Sequence, residues 1–213
     1  MILVVSGRDT NQIPELMDQV YRLRHHVFVQ ELGWTDLDSE DGIEIDVFDR
    51  PDTVHHLCVH DNRVVGYQRM LPTVKPHLLS DVFPELCEGP LPKGVDTYEL
   101  TRYCVAPTHR EGRRGVSSVG SELMAGFVEW GLASRVDKVL IEFETIWVLR
   151  ALQLKFMVRP LGFETQIGKQ RIVATQLGFN PATLAAIRQY RGHWKPVVSY
   201  MGELAERREA MAV

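Results

Sequence analysis

The chain has 213 residues, 45% of them hydrophobic and 24% charged, and carries a net charge of −4 at pH 7. A chain of this length buries about 70% of its unfolded surface, so it can hold a core without disulfides or metal, and one domain with at most a short appendage is expected. The acidic balance, with no run of five like charges, argues against a nucleic-acid partner, and no apolar stretch approaches the length of a membrane span.

Residues 2–5 read as a buried strand ended by the turn-like Ser6-Gly7-Arg8-Asp9. This opening lacks a basic n-region, so it is not read as a signal peptide, and a cytoplasmic location is expected. Asn11 is placed to cap a helix. Its apolar stripe of Ile13, Leu16, Met17, Val20, Leu23, Val27 and Phe28 runs up to Gly33, with Arg22, Arg24 and His25 off the stripe and His25 and His26 on the surface. Residues 34–53 are acidic and aromatic with no sustained period, a loop that would serve as a lid ordered by a ligand. A hairpin follows, 54–59 and 64–71 about a turn at Asp61-Asn62-Arg63, with Pro72 and Pro76 ending it. Residues 81–86 suggest a turn or short helical piece, and 96–105 a strand closed by Pro107.

A basic loop at 108–115 leads into a helix of about 116–134. Residues 139–144 read as a strand, 146–155 as a helix, and 171–176 as the last clear strand. Pro181 starts a final helix, and 203–213 is expected to be a loose tail beyond a domain of residues 1–202. The order predicts an α/β (α+β) single domain, a mixed twisted sheet flanked by helices. Cys58, Cys87 and Cys104 form no Cys-x-x-Cys pair and read as small buried hydrophobes of a reducing compartment. His55 and His56 point to opposite faces of a strand, and neither they nor His60 offer a zinc pair, so no metal is expected.

Charge sits beside apolar residues at Arg24–Phe28, Glu44–Asp49, Gly66–Leu71 and Tyr98–Tyr103. On strand 64–71, Val65, Tyr67, Arg69 and Leu71 share a face, so Arg69 points inward or into a cleft. A buried charge needs a partner. Arg24, Arg69 and Arg102 balance Asp46, Asp49 and Glu99, either as a structural ion-pair network or as a cleft for a zwitterion, whose ammonium or sulfonium suits carboxylates and whose carboxylate suits a guanidinium.

Arg24-x-x-x-Phe28, Trp34, Glu44-x-Asp46-x-Phe48-Asp49, Arg69-x-Leu71-Pro72-Thr73 and Glu99-x-Thr101-Arg102 follow in the order and spacing of the acyl-homoserine-lactone synthases, the LuxI-type autoinducer synthases, which this sequence resembles closely to about residue 115 and more loosely beyond. The resemblance implies a fold like that of the GNAT N-acetyltransferases, a sheet splayed to admit a pantetheine arm. It also implies a quorum-sensing reaction. The amine of S-adenosylmethionine attacks an acyl thioester, from acyl-CoA or acyl-carrier protein, and the product lactonises with release of methylthioadenosine. No tightly bound cofactor is implied.

On that pattern Glu99 accepts the amine proton, directly or through one water. Asp46 and Asp49 hold the ammonium and the lid, and Arg69 pairs with an acid and orients it. Arg24 and Arg102 organise the network or meet the carboxylate. Phe28 and Trp34 cover the adenosine, and Thr101 and Tyr103 stand where the family carries Ser and Phe, with Tyr103 near the acyl path. Phe143 and Trp147 would shape the acyl tunnel or else be ordinary core aromatics. The Gly-bearing loop 109–115 would bind phosphate through its backbone amides, or its Arg110, Arg113 and Arg114 would meet an acidic carrier protein, or the loop would simply be solvated. Strict alternation puts Glu99 and Arg102 on opposite faces of their strand, so a bulge is required if both serve one cleft. The alternatives are an ordinary GNAT acyltransferase using acetyl-CoA on another amine, and a non-catalytic sensor of the same fold.

Overall fold

The computed structural model describes residues 1–111, 116–168 and 170–212. The chain folds into two compact units, Met1–Arg69 with Arg102–Gly126 and Pro196–Val213, and Met70–Thr101 with Phe127–Lys195. Three elements run through the division: β3 (Arg63–Pro72), β4 (Thr97–Val105) and α3 (Ser118–Ser134).

In the first unit, β1 (Ile2–Ser6) pairs antiparallel with β2 (Val54–His60) and parallel with β9 (Val198–Tyr200). β2 turns into β3 (Arg63–Pro72) through Asp61 and Asn62, whose φ values of 48° and 60° are the left-handed pair of a tight hairpin turn. Helix α1 (Pro14–Arg24) starts with proline at its first turn, where no N–H is needed, and Ile13 rather than Asn11 is its cap; Thr10–Gln12 is a separate 3-10 turn. The chain then passes without a break into a π-helical segment, His25–Glu31. This wider winding abandons the 3.6-residue period, so Arg24, His25, Val27, Phe28 and Val29 are all buried. Val5, Met17, Val20, Val27, Phe28, Leu57, Tyr67 and Cys104 form the core beneath α1. On the other face, α3 (Ser118–Ser134) lies close over β3, because a Cβ at Gly66 would meet Val119 Cγ1 at 2.7 Å.

In the second unit, β4 (Thr97–Val105) pairs parallel with β5 (Lys138–Glu144), and β5 antiparallel with β8 (Gln170–Gly178). β8 carries β6 (Met157–Pro160) on one stretch and β7 (Thr165–Ile167) on another. β6, β7 and β9 are short strands that the sequence pattern did not announce. Helix α2 is only Leu78–Asp81, α4 is Ile146–Gln153, and α5 is Pro181–Arg191, capped by Asn180. Leu79, Leu86, Leu140, Leu161 and Ala174 pack together, and Phe127 lies 5.8 Å from Phe156 and 5.7 Å from Phe179, ring centre to ring centre.

Residues Glu203–Ala212, expected to be loose, are helix α6, whose start is fixed by the Glu203 N–H donating to Asp9 Oδ2 at 3.0 Å. Each unit thus has a mixed sheet with helices packed on it. No helix among the described residues is long and apolar enough to cross a membrane.

Candidate active site

The first unit gathers six charged side chains. Arg24 gives Nε to Glu44 Oε2 at 2.6 Å and its two terminal nitrogens to Asp49, at 2.8 and 2.9 Å. Arg69 grips Asp46 with both terminal nitrogens, at 2.6 and 2.8 Å, and lies 3.0 Å from Asp49. Arg102 reaches Glu44 with Nε and Nη2, at 3.0 and 3.1 Å, and Asp46 at 2.7 Å. Three guanidiniums thus face three carboxylates in bidentate geometry, and the charges cancel. The Arg24, Glu44 and Arg69 side chains have no solvent exposure, and that of Asp46 reaches only 10%.

Each acid is held mainly by this pairing. Burial opposes ionisation of Glu44, Asp46 and Asp49, but the arginines outweigh it and hold all three carboxyls below the usual range, Asp49 furthest. The backbone completes the set: the N–H of Phe48 donates to Asp46 Oδ1 at 2.8 Å and that of Asp46 to Asp49 Oδ2 at 2.9 Å. Asp46 thus has four hydrogen-bond donors and Asp49 three, with the Arg69 guanidinium 3.0 Å from Asp49 besides.

Local structure brings these groups together. Arg24 closes α1 where the π-helical segment begins. Arg69 lies on β3 beside Tyr67, as alternation predicts. Arg102 sits on β4 with φ of 54°, a left-handed residue inside a strand, which breaks the alternation where a bulge was expected. Glu44, Asp46, Phe48 and Asp49 pin the inner side of the 34–53 segment, leaving Ile45 and Val47 outward, at 51% and 81% exposure. Beside them, the Arg102 guanidinium lies 5.4 Å from the ring centres of both Phe28 and Trp34, which are 5.0 Å from each other. Phe28 is buried and Trp34 partly open. Tyr103 is exposed. His25, expected on the surface, is buried and bonded to Asp38 at 2.8 Å, while His26 is half-exposed.

In the second unit Glu99 is fully buried. Its Oε1 accepts the Leu79 N–H at 2.6 Å and lies 3.1 Å from His77 Nδ1, and its Oε2 accepts the Leu78 N–H at 2.8 Å. These donors occupy three of four lone-pair positions and leave one on Oε2. Thr101 is buried, Phe143 half-buried and Trp147 exposed, so neither of the two aromatics is an ordinary core residue.

Three residues stand out that sequence reading did not select. Glu44 opened the motif Glu44-x-Asp46-x-Phe48-Asp49 but was given no role of its own. His77 lies between Pro76 and the piece read at 81–86, where no element was expected; its Nε2 is buried without a hydrogen-bond partner among the described residues. Glu142 follows the alternation of a half-solvated strand, yet its Oε1 is buried and likewise unpartnered among the described residues. Arg110 donates to Glu31 at 2.8 Å; Arg113 and Arg114 lie outside the described residues. Cys58 and Cys104 are buried, Cys87 half-buried, and all three are free thiols. Cys58, His60 and Glu122 bring donor atoms within 4.8 Å of one another, a grouping of strand and helix that spacing could not reveal. Glu122 is already paired there with His60, at 3.0 Å, and with the Met1 amino group.

Known proteins place this geometry. The family model described as autoinducer synthase matches residues 9–187. An isovaleryl-homoserine lactone synthase of Bradyrhizobium diazoefficiens is 32% identical over 193 residues, which span 90% of this chain and 86% of that one. A CoA-dependent acyl-homoserine lactone synthase solved with SAM and isopentyl-CoA is 31% identical, with a TM-score of 0.86 over 99% of both chains. An acyl-CoA N-acyltransferase of Pseudomonas aeruginosa shares the fold, at 15% identity and a TM-score of 0.56 over 83% of this chain and 98% of that one.

Proposed function

Because this chain belongs to the autoinducer synthase family, we propose that it is an acyl-homoserine-lactone synthase that takes a short, branched acyl group from CoA. The overall reaction is acylation of the S-adenosylmethionine amine followed by lactonisation. In the second step the methionyl carboxylate attacks the carbon next to the sulfonium, and that C–S bond breaks to release methylthioadenosine. The product is an autoinducer for quorum sensing. The preference for CoA over carrier protein, and for a branched chain, is supported by the full-length likeness to the CoA-dependent synthase and by the isovaleryl specificity in the name of the Bradyrhizobium relative.

The observation that carries the chemistry is Glu99: a buried carboxylate held rigidly by three donors with one lone pair left over. It accepts the proton that the amine loses as it attacks, a contribution of about 10²–10⁴ in rate for a well-placed base. Asp46 and Asp49 fasten the 34–53 segment through Arg24, Arg69 and Arg102 and offer negative charge to the ammonium. That segment, with Phe28 and Trp34 beside it, covers the adenosine and offers the sulfonium an aromatic face. Thr101 and Tyr103 flank the acyl path, and Phe143 and Trp147 limit its length. Lactonisation needs positioning more than a further catalyst, since oriented intramolecular attack has a large effective molarity.

The test is methylthioadenosine release from S-adenosylmethionine by purified protein, with isovaleryl-CoA, straight-chain acyl-CoAs and acyl-carrier proteins as donors and mass spectrometry of the product. Release with isovaleryl-CoA and formation of the matching lactone, cut about 100-fold or more by Glu99→Gln, is the expected result. Consumption of acetyl-CoA against some other amine, with no methylthioadenosine from any donor, would favour a plain acetyltransferase instead.

A further inference from the structure

The parallel pairing of β4 with β5 is three residues long: Thr97, Tyr98 and Glu99 lie opposite Lys138, Val139 and Leu140. β5 then continues against β8, from Ile141 opposite Thr175 to Glu144 opposite Ile172. Glu142 therefore lies two residues past Leu140, the last β5 position paired with β4 among the described residues. Opposed side chains on neighbouring strands share a face, as do alternate residues along a strand. Glu99, Leu140 and Glu142 are thus on one face, with the two glutamates a single pleat apart.

Their surroundings are opposite. Glu99 is met by the backbone N–H groups of Leu78 and Leu79 and lies 3.1 Å from His77 Nδ1. The Oε1 of Glu142 is buried and has no hydrogen-bond partner among the described residues, although the residue as a whole is only half-buried. Burial, and after it the negative charge of Glu99, push the Glu142 carboxyl well above the usual carboxylate range. A carboxylate with a buried oxygen that no donor meets is penalised, whereas a carboxylic acid in the same place is tolerated and has a proton to give. Neighbouring carboxyls whose environments drive them apart in this way divide the acid and base roles between them.

We propose that Glu142 is the general acid of the acyl transfer, protonating the thiolate that leaves the acyl donor while Glu99 takes the proton of the attacking amine. The proposal rests on the synthase reading above. The nitrogen lone pair forms the C–N bond at the thioester carbonyl carbon, and the C–S bond breaks with its electron pair on sulfur. The Glu142 proton goes to that sulfur, and the nitrogen proton goes to Glu99. Passage of this proton from Glu99 to Glu142 resets the pair, so no further reactant is consumed.

Single-turnover rates of Glu142→Gln and its parent are to be measured with isovaleryl-CoA and with isovaleryl thiophenyl ester, whose far more acidic thiol leaves without being protonated. A loss of about 100-fold or more with the CoA donor, and near-equal rates of variant and parent with the thiophenyl ester, is the expected outcome. Equal losses with both donors, or no loss with CoA, would overturn the assignment. Glutamine replaces a neutral acid of the same shape, so an unchanged melting temperature is expected. Should it fall, a series of isovaleryl thioesters on the parent decides: a rate nearly independent of thiol acidity supports proton donation, and a steep dependence refutes it. Failure of the parent to release methylthioadenosine with any donor would remove the synthase reading itself, and that result is read without the variant.

Discussion

Glu44 has no exposed surface and holds two guanidiniums, Arg24 through its Nε at 2.6 Å and Arg102 through its Nε at 3.0 Å. A buried ion pair adds little net stability over a well-packed apolar pair, because the cost of stripping water from the charges offsets their attraction. Removing one partner is different, since it strands charge in the interior. Glu44→Gln is therefore expected to destabilise the fold by about 3–5 kcal/mol, a loss read from the urea midpoint at pH 7. A change below about 1 kcal/mol, the usual worth of an exposed pair, would mean that the network is wetter than its geometry implies. Arg24→Lys keeps the charge and loses the fork, so it is expected to be damaging as well. The balance of Arg24, Arg69 and Arg102 against acids was legible in the sequence, because arginine on apolar strands and helices demands partners. Which acid took which arginine was not, since Glu44, Asp46 and Asp49 lie on one loop and only its path decides the pairing.

The elements that declared themselves were those with a local cause. Asp61-Asn62 sets the hairpin because both residues tolerate positive φ. Asn180-Pro181 starts α5 because Asn180 Oδ1 accepts the N–H groups of Ala182 and Thr183, at 2.8 and 3.3 Å, while proline gives up no bond at the first turn. Asn180→Ala is expected to lower stability by about 1 kcal/mol, whereas Asn180→Asp, which keeps the acceptor, is expected to leave the denaturation midpoint nearly unchanged. Equal effects of the two would show that the cap contributes nothing. The elements that stayed hidden were those made by tertiary context. β6, β7 and β9 are three or four residues long and exist because β8 and β1 offer them an edge. The π-helical winding after Arg24 leaves no residue-type signature, so a strict helical period put His25 on the wrong side. Glu142 was hidden by its strand: acids at 142 and 144 alternating with Ile141 and Phe143 are what a half-solvated strand shows, and only the β4–β5 register reveals that Glu142 shares a face with Glu99.

At the scale of the whole molecule, the buried groups make stability depend on pH in a definite direction. His55 and His56 are fully buried on β2, and burial pushes each down to about 3. Unfolded, each has a pKa of about 6.5. Between these values the unfolded chain binds more protons than the native one, so stability falls as pH falls, at up to about 1.4 kcal/mol per pH unit for each histidine. Glu44, Asp46 and Asp49 act on the same side at lower pH. Their native pKa values are depressed below the unfolded ones near 4, so what they contribute is complete above that value and is lost as the solution is acidified through it. The histidines alone remove about 6 kcal/mol between pH 7 and pH 4, a large part of the roughly 5–15 kcal/mol that a native protein has. Acid unfolding should therefore begin above pH 4, before the arginine network is broken. The raised Glu142 carboxyl opposes the two histidines, since the native chain keeps a proton there that the unfolded one has lost. Urea midpoints measured at half-unit steps from pH 7 to 4 are therefore expected to fall with a slope of less than two protons below pH 6, smaller again by about one proton in His56→Gln. His56 is the more informative of the two positions to change, because it lies on the strand face toward α3, away from the charges around Asp49, so a slope unchanged by this substitution could not be blamed on a disturbed active site and would remove the buried histidines from the account.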